Sequence, residues 1–458
     1  MPQILQTKGG KIKLFVSTIN MGNEQPDLAS LDAWIPKDGL TRNIIDNPRY
    51  PIKTCFDVDG MVDSESSMLT SEQQLKQPPS PSEKNRFDLI VLGMQEATFH
   101  AKKRSDALIG GVVKNVAKTI VDPAKKIISE IPNADTLIGP IKDHSNAVNG
   151  SEDLSKDERP SISEDASERM ITKPASPERV DSLVHADDTK ILHRLFEYQL
   201  PTYVQAGSYQ RGQMRLLIFY NPNTIHTFDV MSVKAQNTGV KFGVKSLPNK
   251  GGIVAEVKIN NTTRISFLTA HLEAHEGKSK YSMRCSTMGE IFKGTPSDTT
   301  IEYCKYDTSL TNHYTFVMGD LNFRTSLPNH EAGSKEHVQA SHDLVKGHDY
   351  HSLNQYDELR MALEKKECLV GFSTPLCWFP PTFKVTKHQS GYVYNEKRSP
   401  SYTDRILFKA CDDLSEKVKL LVYEPVEDFL SSDHKPLRGV FEIELIPTLR
   451  SKRRLARQ

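Results

Sequence analysis

The sequence predicts a layered α/β protein whose functional residues lie at strand ends. Short runs rich in apolar and β-branched residues, such as residues 87–93 and 316–318, predict strands. Apolar residues near helical spacing, as in residues 191–196, predict helices. Polar, chemically capable residues follow several of these strands, and ligand sites in layered α/β folds collect at such ends.

Composition limits the classes of protein that need to be considered. The chain has 458 residues, of which 37% are hydrophobic and 26% charged, which is enough for a large core. It contains neither a membrane-spanning apolar run nor a signal-peptide core, so we expect a cytoplasmic protein. The formal net charge of +1 argues against a globally basic nucleic-acid binder. The 6 cysteines form no Cys-x-x-Cys pair, which predicts free thiols rather than a zinc site or a disulfide framework.

We expect a single catalytic domain over residues 1–446, followed by a basic tail at 447–458. Polar insertions are expected at residues 24–86, 101–188 and 325–350, and the first of these is interpreted as loop and partly disordered linker. Within the second insertion, residues 108–131 have a basic amphipathic pattern. That pattern fits either an interfacial helix on an anionic membrane or an ordinary helix packed on the core.

Further elements follow the same rules along the chain. The predicted strands are residues 13–18, 87–93, 203–206, 216–220, 251–259, 264–270, 316–318 and 438–445.

Most of the chemically capable residues lie next to these strands. They are Asn20, Glu96, His271, Asp320, Asn322, Asp404, Asp433 and His434. Each alone has an ordinary interpretation as a turn former or a structural histidine. Together they suit a hard cation such as Mg²⁺, which takes carboxylates and keeps waters for a phosphate. The set therefore predicts metal-assisted hydrolysis of a phosphoester.

The central stretch is Gly319-Asp320-Leu321-Asn322, after the strand at 316–318. Residues two apart on an extended chain share one face, so a carboxylate would orient a water while an amide donates to an oxyanion. The alternative is a strand that ends in an Asx-type turn.

Two lysines lie in segments suited to anion binding. Lys250 precedes two glycines, which allow close backbone approach to a ligand, although a simple hairpin turn fits equally well. Lys384 ends the rigid aromatic segment at 378–384.

The order of these motifs resembles the inositol polyphosphate 5-phosphatases of the endonuclease/exonuclease/phosphatase superfamily. The segments that carry the resemblance are Asn20–Asn23, Gln95-Glu96, Asn249–Gly252, His271–His275, Gly319–Arg324, Pro381–Lys384, Ser401–Leu407 and Ser432–His434. Phe383 stands where the family usually has tyrosine, and Pro248 where it usually has glycine.

The resemblance implies a DNase I-like four-layer sandwich, in which two mixed β-sheets pack face to face between helices. It also implies hydrolysis of the 5-phosphate of phosphoinositides, with soluble inositol polyphosphates as further substrates. The implied cofactor is Mg²⁺ and the implied partners are a phosphoinositide headgroup and an anionic membrane surface, with peripheral membrane association and no nucleic acid.

The resemblance further implies residue roles. Glu96, Asn20 and Asp433 would hold the metal, Asp320 would orient water, and Asn322 would donate to a phosphoryl oxygen. His271 and His434 would neutralise developing charge, with Asp404 bonded to His434. The residues implied to contact the anionic substrate are Lys250, Arg324, Lys384, Arg398, Tyr402 and Arg405.

Alternatives remain open from sequence. A nuclease or a sphingomyelinase-like lipase of the same fold would use similar chemistry, and a non-catalytic scaffold would bind phosphoinositides without turnover. The nuclease would need a broader basic surface than this charge balance offers.

Overall fold

The computed structural model describes residues 5–6, 10–54, 85–99, 186–237, 241–242, 245–246, 250–293, 307–447 and 449–450. Its strands are β1 (Leu5–Gln6), β2 (Lys11–Asn20), β3 (Leu89–Gln95), β4 (Val204–Arg211), β5 (Met214–Tyr220), β6 (Phe228–Asn237), β7 (Lys241–Phe242), β8 (Lys245–Ser246), β9 (Gly251–Ile259), β10 (Thr263–His271), β11 (Tyr314–Asp320), β12 (Asp404–Ala410), β13 (Val418–Pro425), β14 (Leu437–Glu444) and β15 (Leu449–Arg450). Its helices are α1 (Leu28–Trp34), α2 (Arg42–Ile45), α3 (Ala186–Gln199), α4 (Lys278–Phe292), α5 (Thr308–Thr311), α6 (Lys335–Lys346), α7 (Tyr350–Gln355) and α8 (Glu358–Glu364). Short 3-10 helices lie at Lys37–Gly39 and Asp412–Lys417.

Two mixed sheets form the centre of the fold. One has the strand order β12-β11-β10-β9-β6 and the other β13-β14-β2-β3-β5-β4. The pairs β10–β11 and β2–β3 are parallel, and the remaining neighbours in these sheets are antiparallel. Each sheet therefore has one central parallel pair, whose strands end at the same edge.

Three apolar clusters define the layers. The largest combines inward-facing residues of both sheets, such as Val16 and Phe316. A second cluster joins the outer face of the six-stranded sheet to α1 and α3, and a third joins the five-stranded sheet to α4 and α8. This arrangement of helices, sheet, sheet and helices confirms the predicted four-layer sandwich.

The predicted loop at residues 24–86 is wrong for its first part. Asp27 caps α1 by accepting a hydrogen bond from the Ser30 backbone N–H at 2.7 Å. Trp34 is fully buried, and its Nε1 donates to Ser17 Oγ at 2.8 Å. The polar composition hid one large aromatic residue that anchors the outer layer.

The predicted insertion at 325–350 contains α6, which is part of the packed fold. Ser334 caps this helix by accepting from the His337 backbone N–H at 3.1 Å. The side chains of His337 and Ser341 are buried.

Several predicted segments lie partly or wholly outside the residues that the structure describes. The predicted helix at 108–131 and nearly all of the insertion at 101–188 lie outside them, as does most of the tail at 447–458. Within the tail, β15 pairs antiparallel with β1. No helix of the described residues is long and apolar enough to cross a bilayer.

Candidate active site

Backbone register brings the predicted strand-end residues together. His271, at the end of β10, lies directly opposite Asp320, at the end of β11. Asp404, at the start of the antiparallel β12, is the other register partner of Asp320. In the second sheet Asn20 lies opposite Gln95, and Glu96 follows. The site is thus built where the parallel pairs of both sheets end.

Asp320 lies at the centre of the site and is buried. Its Oδ2 accepts a hydrogen bond from Asn20 Nδ2 at 2.9 Å and lies 3.3 Å from His271 Nε2. Burial alone would raise the pKa of Asp320, but the His271 hydrogen bond and the nearby charges of His434 and Lys250 hold it well below its usual range. Asp320 is therefore an ionised hydrogen-bond acceptor at neutral pH.

His434 and Asp404 form a buried pair beside Asp320. His434 Nδ1 lies 2.9 Å from Asp404 Oδ2, which also accepts from Thr382 Oγ1 at 2.7 Å. Burial opposes protonation of His434, but Asp404 and the charges of Asp320 and Asp433 raise its pKa to about 9. The imidazolium form prevails at neutral pH, and its Nε2–H is the donor left for a ligand.

Glu96 forms the more open part of the site. Its side chain is 33% exposed and its Oε1 lies 3.9 Å from His271 Nε2. Asn23 approaches from the neighbouring loop, with its Nδ2 3.5 Å from Glu96 Oε2. Thr98 Oγ1 donates to Asn23 Oδ1 at 2.6 Å and so orients that amide. Sequence reasoning missed Thr98, because nothing in a single threonine signals a role.

Asn322 has a left-handed backbone, with φ of 56°. Its Nδ2 donates to the Leu272 carbonyl at 3.1 Å, and its Oδ1 accepts from Arg324 Nη2. Asparagine tolerates this conformation better than most residues. The side chain is thereby fixed, with one amide hydrogen committed to the backbone and the other available.

The predicted substrate-binding cations fall into different environments. Lys250 is half-buried, its Nζ contacts His271 Nε2, and burial lowers its pKa. Lys384 Nζ pairs with Asp433 Oδ2. Arg398 is exposed, with no side-chain hydrogen bond or ion pair to any residue that the structure describes.

Two residues predicted to contact the substrate have buried side chains with partners inside the protein. Arg405 is buried and pairs with Asp357, the N-cap residue of α8. Tyr402 is also buried, and its hydroxyl donates to the Phe379 carbonyl at 2.7 Å. A strand-start position next to functional residues does not reveal which face of the strand a side chain takes.

Arg324 is likewise buried, and it contacts residues of the site from the protein interior. Its Nε donates to the Asn322 carbonyl at 3.1 Å. Its guanidinium lies 4.7 Å from the Phe383 ring centroid, and that ring lies 4.6 Å from the His434 ring. The Phe383 ring thus packs between the Arg324 guanidinium and the His434 ring, and it supports the position of the imidazole.

One ligand atom from each of Asp320, Asp404 and His434 lies within 4.8 Å of the other two. This group differs from the predicted metal ligands Asn20, Glu96 and Asp433. His434 Nδ1 is already bonded to Asp404 Oδ2, and the pKa of about 9 favours the protonated ring over a metal-ligating one. The oxygens of Asn20, Glu96 and Asp320 are the hard donors that a divalent cation prefers. Asp433 already has Lys384 as its partner.

Comparisons with known proteins agree with this architecture. The model of the Endonuclease/Exonuclease/phosphatase family 2 matches residues 162–440. The type IV inositol polyphosphate 5-phosphatase 11 of Arabidopsis thaliana is 29% identical over 242 residues, covering 52% of this chain and 66% of the relative. The phosphatidylinositol 4,5-bisphosphate 5-phosphatase INP51 of Saccharomyces cerevisiae is 29% identical over 241 residues, covering 52% of this chain and 23% of the relative. The chain thus spans less than two thirds of either relative.

A solved structure supports the fold. The inositol polyphosphate 5-phosphatase domain of SPsynaptojanin, in complex with inositol (1,4)-bisphosphate and calcium ion, aligns with a TM-score of 0.55 and 18% identity. The alignment covers 96% of this chain and 87% of that chain. From its matched segment, its fold and its strand-end site, the chain belongs to the Endonuclease/Exonuclease/phosphatase family 2.

Proposed function

We propose that this chain is a Mg²⁺-dependent 5-phosphatase acting on phosphatidylinositol 4,5-bisphosphate, the 3,4,5-trisphosphate lipid and soluble inositol polyphosphates that carry the same headgroup. The observation that carries this proposal is the Asp404–His434 pair beside the ionised Asp320. The His434 imidazolium is a cationic hydrogen-bond donor and Asp320 is an anionic acceptor. Side by side, they suit the attack of water on a phosphate. The names of the matched 5-phosphatases give the proposal its substrate class.

Glu96, Asn20 and Asp320 would hold Mg²⁺, which when bound supplies charge neutralisation at the scissile phosphate. The remaining chemistry belongs to the side chains. Asp320 accepts a hydrogen bond from the attacking water and orients it, since a carboxylate with so low a pKa is a poor proton acceptor. His434 donates from Nε2 to a phosphoryl oxygen as negative charge develops.

The flanking cations would select the headgroup. Lys250 and Lys384 are point charges suited to phosphate oxygens, and exposed Arg398 can bind a phosphate bidentately. An adjacent 4-phosphate would compete with Asp433 for Lys384, because both groups are anionic. We propose that the enzyme is cytoplasmic and associates peripherally with anionic membranes, because its proposed lipid substrates lie in membranes.

The test is phosphate release, with Mg²⁺ and with EDTA, from vesicles containing each lipid and from soluble inositol 1,4,5-trisphosphate. Metal-dependent release supports the proposal, and the pattern across substrates shows whether the headgroup alone suffices. His434→Ala serves as the inactive control. No release from any of the substrates, together with cleavage of a parallel abasic DNA duplex, would replace the phosphatase with a nuclease of the same fold.

A further inference from the structure

A second lysine lies near Asp433, in a hairpin formed by residues 384–395. Val385 and Tyr394 close this hairpin as an antiparallel bridge. The Val385 N–H also donates to the Asp433 carbonyl at 2.9 Å, and Lys387 follows two residues later. Backbone hydrogen bonding therefore fixes the start of the hairpin, and with it the Lys387 backbone, beside Asp433.

The two lysines of this hairpin approach different oxygens of one carboxylate. Lys384 Nζ pairs with Asp433 Oδ2. A Cβ added at Gly22 would lie 2.8 Å from Asp433 Oδ1 and 2.8 Å from Lys387 Nζ, so these two charged atoms are at most twice that distance apart. Lys387 Nζ also donates to the Gly22 carbonyl at 2.9 Å and to Glu24 Oε2 at 3.4 Å. These two acceptors hold the Lys387 ammonium near Oδ1.

Asp433 is a carboxylate with limited access to water, since its side chain is 19% exposed. Burial alone would raise its pKa, but the charges of His434 and of the two lysines hold it below its ordinary value. A largely buried carboxylate that loses its ion-pair partner is destabilising, because the remaining charge is poorly solvated. A headgroup phosphate that draws Lys384 away would therefore bind weakly unless a second cation stays with Asp433.

We propose that Lys387 is a positioning residue for headgroup recognition, which remains as the counter-charge of Asp433 when a phosphate next to the scissile one takes Lys384. The inference rests on the proposed function, in which Lys384 binds the 4-phosphate. Lys387 acts through Asp433 and contacts no substrate atom. Its consequence is selectivity for adjacent phosphates, since a headgroup without a 4-phosphate leaves the Lys384–Asp433 pair intact.

The experiment measures binding of inositol 1,4,5-trisphosphate and of inositol 1,5-bisphosphate to the full chain by calorimetry. EDTA is present to prevent metal-dependent turnover, and only the first compound has a 4-phosphate. Lys387→Met should weaken trisphosphate binding about tenfold, the effect of one charged partner, and leave bisphosphate binding within about twofold. Lys387→Gln can still donate to the Gly22 carbonyl but lacks the charge, so it should show the same loss. Lys387→Arg restores the charge and should keep most of the affinity.

Lys258→Met is the matched control. The side chains of Lys258 and Lys387 are each 28% exposed and each has a carboxylate partner, which for Lys258 is Asp229 at 3.6 Å. Lys258 lies near the end of β9 that is remote from His271. Its substitution should leave both affinities unchanged, and thermal unfolding of all variants verifies that they are folded.

Glu24→Gln separates the charge of Lys387 from its contact with the neighbouring loop. It removes one acceptor but leaves the ammonium near Asp433, so trisphosphate affinity should stay within about twofold of wild type. In Asp433→Asn no carboxylate charge remains, so adding Lys387→Met should cause little further loss. The inference is overturned by an equal loss in Glu24→Gln and Lys387→Met, or by additive losses in the Asp433→Asn background.

Two further outcomes would also overturn it. One is a trisphosphate affinity that Lys387→Met leaves unchanged, and the other is an equal loss for both headgroups. Phosphate release by the wild type with Mg²⁺, measured in parallel, tests the proposed function by itself. Absence of release would refute the phosphatase, whereas release together with equal losses for both headgroups would refute only the role of Lys387.

Discussion

His271 and Asp320 are register partners at the ends of two parallel strands, with Nε2 and Oδ2 3.3 Å apart. Backbone pairing, rather than a flexible side-chain contact, sets this distance. Gly319 immediately precedes Asp320 with φ of 154°, and a Cβ there would lie 2.1 Å from the Ala270 carbonyl oxygen. The close approach of β10 and β11 therefore requires glycine at this position.

Gly319→Ala is expected to disturb this pair. The added methyl must push β10 and β11 apart, so turnover should fall at least tenfold, as a displacement of about 1 Å can cost 10²-fold. Gly277→Ala is the control, because Gly277 also has positive φ, of 105°, but no atom within 4 Å of its Cβ position. Phosphate-release rates and thermal unfolding of both variants provide the measurement. Equal losses of activity would mean that backbone strain alone explains the effect.

Asp404→Asn should reduce turnover by roughly 10²-fold or more, because it removes the charge that keeps His434 protonated. With the pKa of His434 raised to about 9, activity that needs the imidazolium should fall as pH rises through about 9. In Asp404→Asn this alkaline limb should move to lower pH. Rates measured from pH 6 to 10 test the shift, and an unchanged limb would exclude His434 as its source.

The same group makes stability depend on pH. The folded pKa of His434 lies above the ordinary histidine value of 6.5, so the folded state holds this proton more tightly than the unfolded state. The stabilisation is fully present below about 6.5 and is lost as pH rises through about 9. Urea unfolding across this window should show a steeper decline for the wild type than for Asp404→Asn.

Most of the fold was predictable because its strands are continuous apolar runs. Residues 316–318 and 251–259, for example, are buried almost throughout and lie in β11 and β9. The sequence pattern was less informative for α1. The segment around this helix is mostly polar, and the helix is held to the core by the buried Trp34. Local composition does not reveal a single long-range anchor of this kind.

The site was predictable where residue type and strand-end position coincide, as for His271 and Asp320. It was not predictable for Arg405, since a one-residue difference in strand register decides whether a side chain faces the site or the core. Thr382 was missed for another reason. Its hydrogen bond to Asp404 spans a separation in sequence that only the tertiary fold closes.

Arg405→Met is expected to destabilise the fold without changing substrate affinity. It would leave Asp357 as an unpaired buried charge, which costs about 3–5 kcal/mol in comparable pairs. Urea unfolding measures the loss, and KM measures affinity in the folded enzyme. The double variant Arg405→Met with Asp357→Leu should recover part of the stability. A large rise in KM in a single variant that remains stable would indicate that Arg405 contacts the substrate.

Arg398→Ala should raise KM while changing kcat little, because Arg398 is exposed and the proposed function assigns it to the headgroup rather than to the reacting atoms. Loss of one charged hydrogen-bonding partner corresponds to about tenfold in affinity. Lys397→Ala is the matched control, since Lys397 is the neighbouring exposed cation. Equal KM values for the two variants would indicate a general surface charge effect instead of a specific contact.

Asn322 is the residue that the sequence predicts to donate a hydrogen bond to a phosphoryl oxygen, and its free amide hydrogen can be tested. Removing its free amide hydrogen should lower turnover by roughly 10²-fold or more, the usual cost of losing one oriented donor. Asn322→Gly removes the amide but accepts the φ of 56°, whereas Asn322→Ala removes it and also strains the backbone. Both variants should therefore lose similar activity, while only the alanine variant should lose further stability. Asn329→Ala, at an exposed asparagine with φ of 66°, measures that strain alone. If Asn322→Gly kept wild-type turnover, the Asn322 amide would only form its hydrogen bonds with Leu272 and Arg324. Another group would then donate to the phosphoryl oxygen.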